Sequence, residues 1–147
     1  MRVNGAWALG DDGITRPVIQ GKILTSRGLW IPAPFLVDTG ADQTVFSAIT
    51  LADLSLQPRA TQNRISGVGG VVSSVLVETQ IQLRRETGSA VVFRGQYRAV
   101  TEVAALDISV LGRDIMGLFS IVVDQPGNVV CLLGQRHRYT IEQSERF

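Results

Sequence analysis

The run Phe35-Leu-Val-Asp-Thr-Gly-Ala-Asp-Gln-Thr-Val-Phe46 places Asp38 directly after an apolar stretch and follows it with a hydroxyl residue and a glycine. Burying a carboxylate beside apolar residues is costly unless the carboxylate is paired or hydrogen-bonded. The Thr39 hydroxyl and the Gly40 backbone N–H can supply that support. Asp-Thr-Gly is also ordinary turn chemistry at the end of a strand. The tripeptide alone therefore does not distinguish a catalytic loop from a turn.

On both sides of this run, short β-branched and aliphatic segments are separated by Gly, Pro, Asn and Asp, which predicts a mainly β fold. Only two short segments are predicted to be helical, Ser47–Leu54 and Arg113–Leu118. The strands are predicted, within a few residues, at Val18–Thr25, Leu29–Val37, Val71–Arg84, Ala90–Val100, Ile108–Leu111, Ser120–Asp124 and Asn128–Leu133.

The length and composition favour one domain. A chain of 147 residues with 45% hydrophobic residues can bury one core and is short for two domains. We predict an N-terminal extension at 1–14, the folded unit at 15–134, and a polar C-terminal tail at 135–147 that is partly disordered.

The charges and the metal-ligating residues exclude several classes of partner. The net charge of +1 supplies no strong field for a nucleic acid or an anionic membrane. The single cysteine, Cys131, lies in an apolar run and is interpreted as a buried core thiol, so no disulfide and no cysteine metal site is expected. The only histidine, His137, lies in a polar segment. No metal and no cofactor are predicted.

The N-terminal residues do not resemble a signal peptide, because Gly and Asp interrupt them before any sustained apolar stretch forms. No apolar run elsewhere approaches the roughly 20 residues that are needed to span a bilayer. We therefore expect a soluble, cytoplasmic protein.

The residues around Asp38 resemble the active-site loop of the retroviral-type aspartic proteases, the retropepsins. The resemblance rests on the apolar pair before Asp38 and on the continuation Ala41-Asp42-Gln43-Thr44-Val45. It implies a single-domain closed β-barrel or sandwich with one or two short helices and a flap hairpin. It also implies that Asp38, Thr39 and Gly40 are catalytic, and that Ala41, Asp42 and Gln43 contact the substrate.

A second segment, Ile65-Ser-Gly-Val-Gly-Gly-Val-Val72, contains three glycines around one aliphatic residue. Such a segment suits a hairpin tip with exposed backbone N–H groups, and by itself it is an ordinary glycine-rich turn. The resemblance assigns it as the flap that closes over a bound peptide, so that Gly67, Val68, Gly69 and Gly70 would contact the substrate.

A third segment, Val110-Leu-Gly-Arg-Asp-Ile-Met116, resembles the second signature of the same family. Gly112 would allow close packing beneath the active-site loop, and Arg113 would pair with Asp42. Asp114 stands where retroviral members commonly have Asn, so this residue and the strand-turn-strand pattern after it indicate closer kinship with cellular relatives. Ala41, Ile108 and Val110 are predicted as apolar pocket walls.

Aspartic proteolysis needs two carboxylates that share a proton across a water molecule. No second Asp-Thr-Gly or Asp-Ser-Gly occurs in the chain, because the following hydroxyl residue and glycine are missing at Asp11, Asp12, Asp53, Asp107 and Asp124. The resemblance therefore implies a homodimer in which Asp38 meets its symmetry mate. The function implied is an aspartic endopeptidase that acts on a peptide or protein at mildly acidic pH.

Three other functions are compatible with parts of the sequence. A peptide-binding or assembly module of the same fold could lack turnover, although Asp38, Thr39 and Gly40 are intact. A phosphoryl-transfer enzyme with Asp38 as nucleophile would need alternating strands and helices, which the pattern does not show. A nucleic-acid-binding β-barrel has little support from the near-neutral charge and the 6% aromatic content.

Overall fold

The computed structural model describes residues 1–58, 63–67 and 70–134, and the predicted C-terminal tail lies outside these ranges. Within them the chain forms eleven strands, two α-helices and one 3₁₀ turn at Val103–Ala105. The strands are β1 Arg2–Asn4, β2 Ala6–Leu9, β3 Thr15–Leu24, β4 Trp30–Val37, β5 Val45–Phe46, β6 Asn63–Gly67, β7 Gly70–Arg84, β8 Ala90–Val100, β9 Ser109–Leu111, β10 Ser120–Asp124 and β11 Val129–Leu133. The helices are α1 Ala48–Leu54 and α2 Arg113–Met116.

The larger sheet closes on itself. Its strands follow the order β2-β3-β4-β9-β5-β8-β7-β6, and an additional pairing of β3 with β7 joins the two sides into a ring. Closure occurs where Gly21, Lys22 and Ile23 of β3 pair with Leu83, Gln82 and Ile81 of β7. The mainly β fold with a closed barrel that the sequence predicts is therefore confirmed.

The core fills the inside of this ring because buried residues alternate along its strands. On β7 the buried side chains include Val75, Val77, Ile81 and Leu83. The fully buried Phe46 joins the inner faces of β4 and β8, with ring centroids 6.3 Å from Phe35 and 5.5 Å from Tyr97.

The second sheet has the order β1-β11-β10 and includes residues from both ends of the described chain. Val3 of β1 pairs with Leu132 of β11 and is 1% exposed. Trp7 of β2 donates a hydrogen bond from Nε1 to Asp124 O at 3.1 Å. Residues 2–9, which the sequence analysis placed in an extension, are thus part of the two sheets.

The sequence misses β1 and β2 because both strands are short, and β1 in addition pairs with β11 at the far end of the described chain. It also misses β5 and β6, whereas all seven predicted strands are confirmed with bounds shifted by at most a few residues. Cys131 is buried, as predicted.

Both predicted helices are present and short. The Ser47 side chain accepts a hydrogen bond from Thr50 N at 3.2 Å and so caps the start of α1. Ser55, with a φ of 53°, ends α1 in the left-handed region. No helix in the described part of the chain has the length and apolar character needed to cross a membrane.

We predict that Val3→Ala lowers the free energy of unfolding by about 2 kcal/mol, because it removes buried methyl groups and leaves a cavity between the two sheets. Leu9→Ala is the matched control, since Leu9 is 72% exposed and should change stability by less than about 0.5 kcal/mol. Urea denaturation at one protein concentration measures both. Equal stability of the two variants would show that β1 does not contribute to the core.

Candidate active site

The loop after β4 begins at Asp38, whose backbone N–H donates to Leu111 O of β9 at 3.4 Å. Ala41 N–H donates to Asp38 O at 3.1 Å, which closes a turn, and Gly40 N–H donates to Asp38 Oδ1 at 3.0 Å. The Asp38 side chain is half-buried, whereas Thr39 and Gly40 are exposed. The turn thus holds the Asp38 carboxylate at the rim of the barrel in contact with solvent.

The N-terminal end of α2 holds the second half of this loop. Arg113 N–H donates to Ala41 O at 2.9 Å, and Asp114 N–H donates to Asp42 O at 3.2 Å. The predicted ion pair between Arg113 and Asp42 is also present, with side chains that are 56% and 81% exposed. An ion pair this exposed adds little to stability. The backbone hydrogen bonds are therefore the stronger link between the loop and α2.

Beneath the loop, the buried Thr44 hydroxyl donates to Asp114 Oδ1 at 2.7 Å and accepts from Gly112 N–H at 3.1 Å. Thr44 N–H donates to both Asp114 oxygens at 3.0 Å, and Ile115 N–H donates to Oδ1 at 2.9 Å. Charge-assisted hydrogen bonds of this kind are stronger than neutral ones. Asp114 thus fixes the start of α2 against the end of the loop.

The negative charge of Asp114 also acts on Tyr97, on the inner face of β8. Burial raises the pKa of Tyr97 to about 12, and the negative charge of Asp114 adds to the shift. The Tyr97 hydroxyl donates to Phe93 O at 2.9 Å, so it is satisfied as a neutral phenol.

Glycine is required at position 112 because the backbone of Gln43 and Thr44 passes very close to it. A Cβ on this residue would lie 2.5 Å from Gln43 O and 2.7 Å from Thr44 N, both of which are backbone atoms. The predicted tight packing of Gly112 beneath the loop is therefore present.

The Gln43 side chain accepts a hydrogen bond at Oε1 from Arg98 Nε of β8, at 2.8 Å. Gln43 was predicted to contact the substrate, and in this structure its amide oxygen is held by Arg98. Sequence reasoning missed both Arg98 and Thr44, because their partners are brought close only by the pairing of β5 with β8 and β9.

Strands β6 and β7 form a hairpin in which Gly67 pairs with Gly70. Gly70 has a φ of 107°, which suits glycine and strains other residues. Val68 and Gly69, also predicted to contact the substrate, lie outside the described residues.

A groove of about 800 Å³ is lined by two of the three predicted pocket walls, Ile108 and Val110, whereas Ala41 does not line it. Val110 pairs with Leu36, which also lines the groove and precedes Asp38 by two residues on β4. The remaining lining residues are Ala8, Leu9, Gly10, Asp11, Asp12, Arg16, Val18, Ile49, Val103, Ala105, Leu106 and Asp107. The groove therefore runs up to the base of the Asp38 loop, although Asp38 itself does not line it.

No group of three or more His, Cys, Asp or Glu residues in the described ranges is placed to hold a metal ion. The chemistry available at Asp38 is that of a solvent-accessible carboxylate on a well-anchored turn.

The chain is similar to known proteins in sequence and in fold. A family model described as Aspartyl protease matches residues 19–136. A retropepsin-like aspartic protease from Rickettsia conorii has a TM-score of 0.55 at 16% identity, over 90% of this chain and 98% of that chain. The EIAV protease in complex with the inhibitor HBY-793 is 26% identical, with a TM-score of 0.49 over 69% of this chain and 86% of that chain. No curated protein matches the sequence at a significant level.

We predict that Gly112→Ala lowers the free energy of unfolding by about 2 kcal/mol or more, because the new methyl group would displace the backbone at Gln43 and Thr44. Gly95→Ala is the matched control, since its Cβ would meet its nearest neighbour at an ordinary 3.7 Å. Denaturant unfolding of both variants measures the difference. A Gly112→Ala protein as stable as Gly95→Ala would contradict the close packing.

Proposed function

Because the chain belongs to the aspartyl protease family, we propose that it is a retropepsin-like aspartic endopeptidase active as a homodimer. The observation that carries the proposal is the Asp38 turn, which presents one half-buried carboxylate on a loop held by α2. The single Asp-Thr-Gly in the sequence makes a second copy of the chain the source of the second carboxylate.

In the proposed dimer, Asp38 and the same residue of a second copy share one proton and hold a water molecule between them. Two carboxylates this close cannot both ionise freely. The ionised group takes a proton from the water, whose oxygen attacks the carbonyl carbon of the peptide. The protonated group donates its proton to the carbonyl oxygen. Collapse of the tetrahedral diol breaks the C–N bond, and a proton passes to the leaving nitrogen.

The exposure of the loop supports this arrangement. Thr39 and Gly40 are exposed in the single chain, as residues that face a second copy would be. The Gly40 N–H that donates to Asp38 Oδ1 orients the carboxylate, so one oxygen is held while the other is available to the water.

We further propose that the substrate lies as an extended strand between the groove and the β6–β7 hairpin, which would act as the flap. The groove offers apolar walls at Ile108, Val110 and Leu36, next to the Asp38 loop. Backbone pairing would supply affinity, and the groove would select side chains.

We expect Asp38→Asn to lower kcat/KM for an unstructured protein substrate such as casein by about ten-thousand-fold, because the general base is removed. Asn keeps an Oδ1 acceptor for the Gly40 N–H, so the fold should persist. Asp53→Asn, which removes an exposed carboxylate from α1, is the matched control and should retain full activity. The assay is run at about pH 5, where the carboxylate pair keeps its shared proton.

Activity of Asp38→Asn equal to that of Asp53→Asn would overturn the proposed mechanism. A wild-type protein that binds peptides without cleaving them would support the alternative of an inactive peptide-binding or assembly module.

We also expect specific activity to fall when the protein is diluted, because each active site needs two chains. Sedimentation should give twice the mass of one chain over the range in which activity is full. Asp38→Asn should sediment in the same way, which separates assembly from chemistry. A strict monomer that cleaves peptides would rule out the dimeric site.

A further inference from the structure

The groove beside the candidate active site combines an apolar floor with charged residues at one end. Val110 is 8% exposed and pairs with Leu36, while Ile49 and Val103 at the edges are 57% and 61% exposed. An exposed apolar edge around an open groove is typical of a binding surface.

The charged end contains three carboxylates and one guanidinium, contributed by Asp11, Asp12, Asp107 and Arg16. Arg16 donates from Nη1 to Asp12 Oδ1 at 3.0 Å and from Nη2 to Asp12 Oδ2 at 2.6 Å. Asp12 and Arg16 therefore neutralise each other, and among the groove-lining residues Asp11 and Asp107 have no cation to match them.

The pKa values agree with this distribution of charge. The hydrogen bond from Arg16 lowers the pKa of Asp12 to about 2. The pKa of Arg16 is raised first by Asp12 and also, through its charge, by Asp107. Asp107 is therefore close enough to the Arg16–Asp12 pair for its field to act at the same end of the groove.

We propose that this groove binds an extended peptide that carries an apolar residue with Lys or Arg within two positions of it, and that Asp11 and Asp107 provide the preference for the basic residue. This inference rests on the proposed function, because it places the groove in the path of the substrate.

The geometry of an extended chain supports the pairing of the two side chains. Residues two positions apart project from the same face of a strand, about 7 Å apart. An apolar side chain on the floor therefore brings a second side chain toward the rim, where a long Lys or Arg can reach a carboxylate. Exposed charge pairs of this kind are worth about 0.2–1 kcal/mol each, so the preference should be modest and salt-dependent.

The test uses two fluorescent peptides that share one apolar residue and differ only at the flanking positions two residues away, which are Lys in one peptide and Glu in the other. Binding is measured by anisotropy on the Asp38→Asn protein at about pH 6 and low salt, so that no turnover intervenes. We expect the Lys peptide to bind about five-fold more tightly, and the ratio to approach one at about 0.5 M salt.

Variants assign the preference to individual carboxylates. Asp107→Asn and Asp11→Asn, each in the Asp38→Asn background, should each reduce the Lys-to-Glu ratio by about two-fold. Asp53→Asn removes a carboxylate that does not line the groove, and should leave the ratio unchanged. Arg16→Gln should increase the ratio, because it leaves Asp12 without its partner.

Cleavage of the same two peptides by the wild-type protein separates the outcomes. Cleavage without a Lys preference, or a preference that survives loss of both Asp11 and Asp107, overturns the groove inference and leaves the proposed function intact. A carboxylate-dependent preference in binding without cleavage supports the groove and counts against the endopeptidase. If neither peptide is bound or cleaved, the groove inference and the proposed function are both overturned. That result would indicate that another occupant, such as a second copy, covers the groove.

Discussion

The hydrogen-bond network of Thr44, Gly112 and Asp114 is the constraint on which the position of Asp38 depends. The Thr44 hydroxyl joins the Gly112 backbone to the Asp114 carboxylate, while Asp114 also binds two backbone N–H groups, those of Thr44 and Ile115. Thr44 and Gly112 are buried, whereas Asp114 is partly reached by solvent. Moving the Thr44 hydroxyl or the Gly112 N–H would therefore leave a buried polar group unpaired, so the network has few alternative arrangements. The start of α2 is therefore fixed beneath the loop, and Arg113 N–H and Asp114 N–H in turn hold Ala41 and Asp42 from below.

Much of the fold could be predicted because its strands are long and carry a regular period. The alternation of buried residues along β7 and β8 indicates each strand without knowledge of its partner. Strands β1 and β5 have three and two residues, too few for a period to appear. Their existence depends on partners such as Leu132 and Arg98, far away in sequence, so only the assembled fold reveals them.

The residues of the candidate site likewise fall into those that the sequence could predict and those that it could not. The residues of the loop and of α2 were found because their motifs are local, and the Arg113–Asp42 pair followed from the resemblance. Thr44 and Arg98 were missed because nothing in the neighbouring sequence distinguishes a buried hydroxyl that bridges two segments from an ordinary strand residue. The charge at the end of the groove was missed for a similar reason: Asp11 and Asp107 are far apart in the sequence and line one groove only because β9 pairs with β4, next to β3.

Within one chain the Asp38 loop already has backbone hydrogen bonds to β9 and α2, and this bears on the proposed assembly. Because the Arg113–Asp42 pair is exposed, it contributes little to the order of the loop in a single chain, which depends instead on backbone hydrogen bonds and on Thr44 with Asp114. A second copy would therefore meet a loop that is already ordered. Association then need not supply the free energy to order the loop, and the contact area can serve to bring the two carboxylates together.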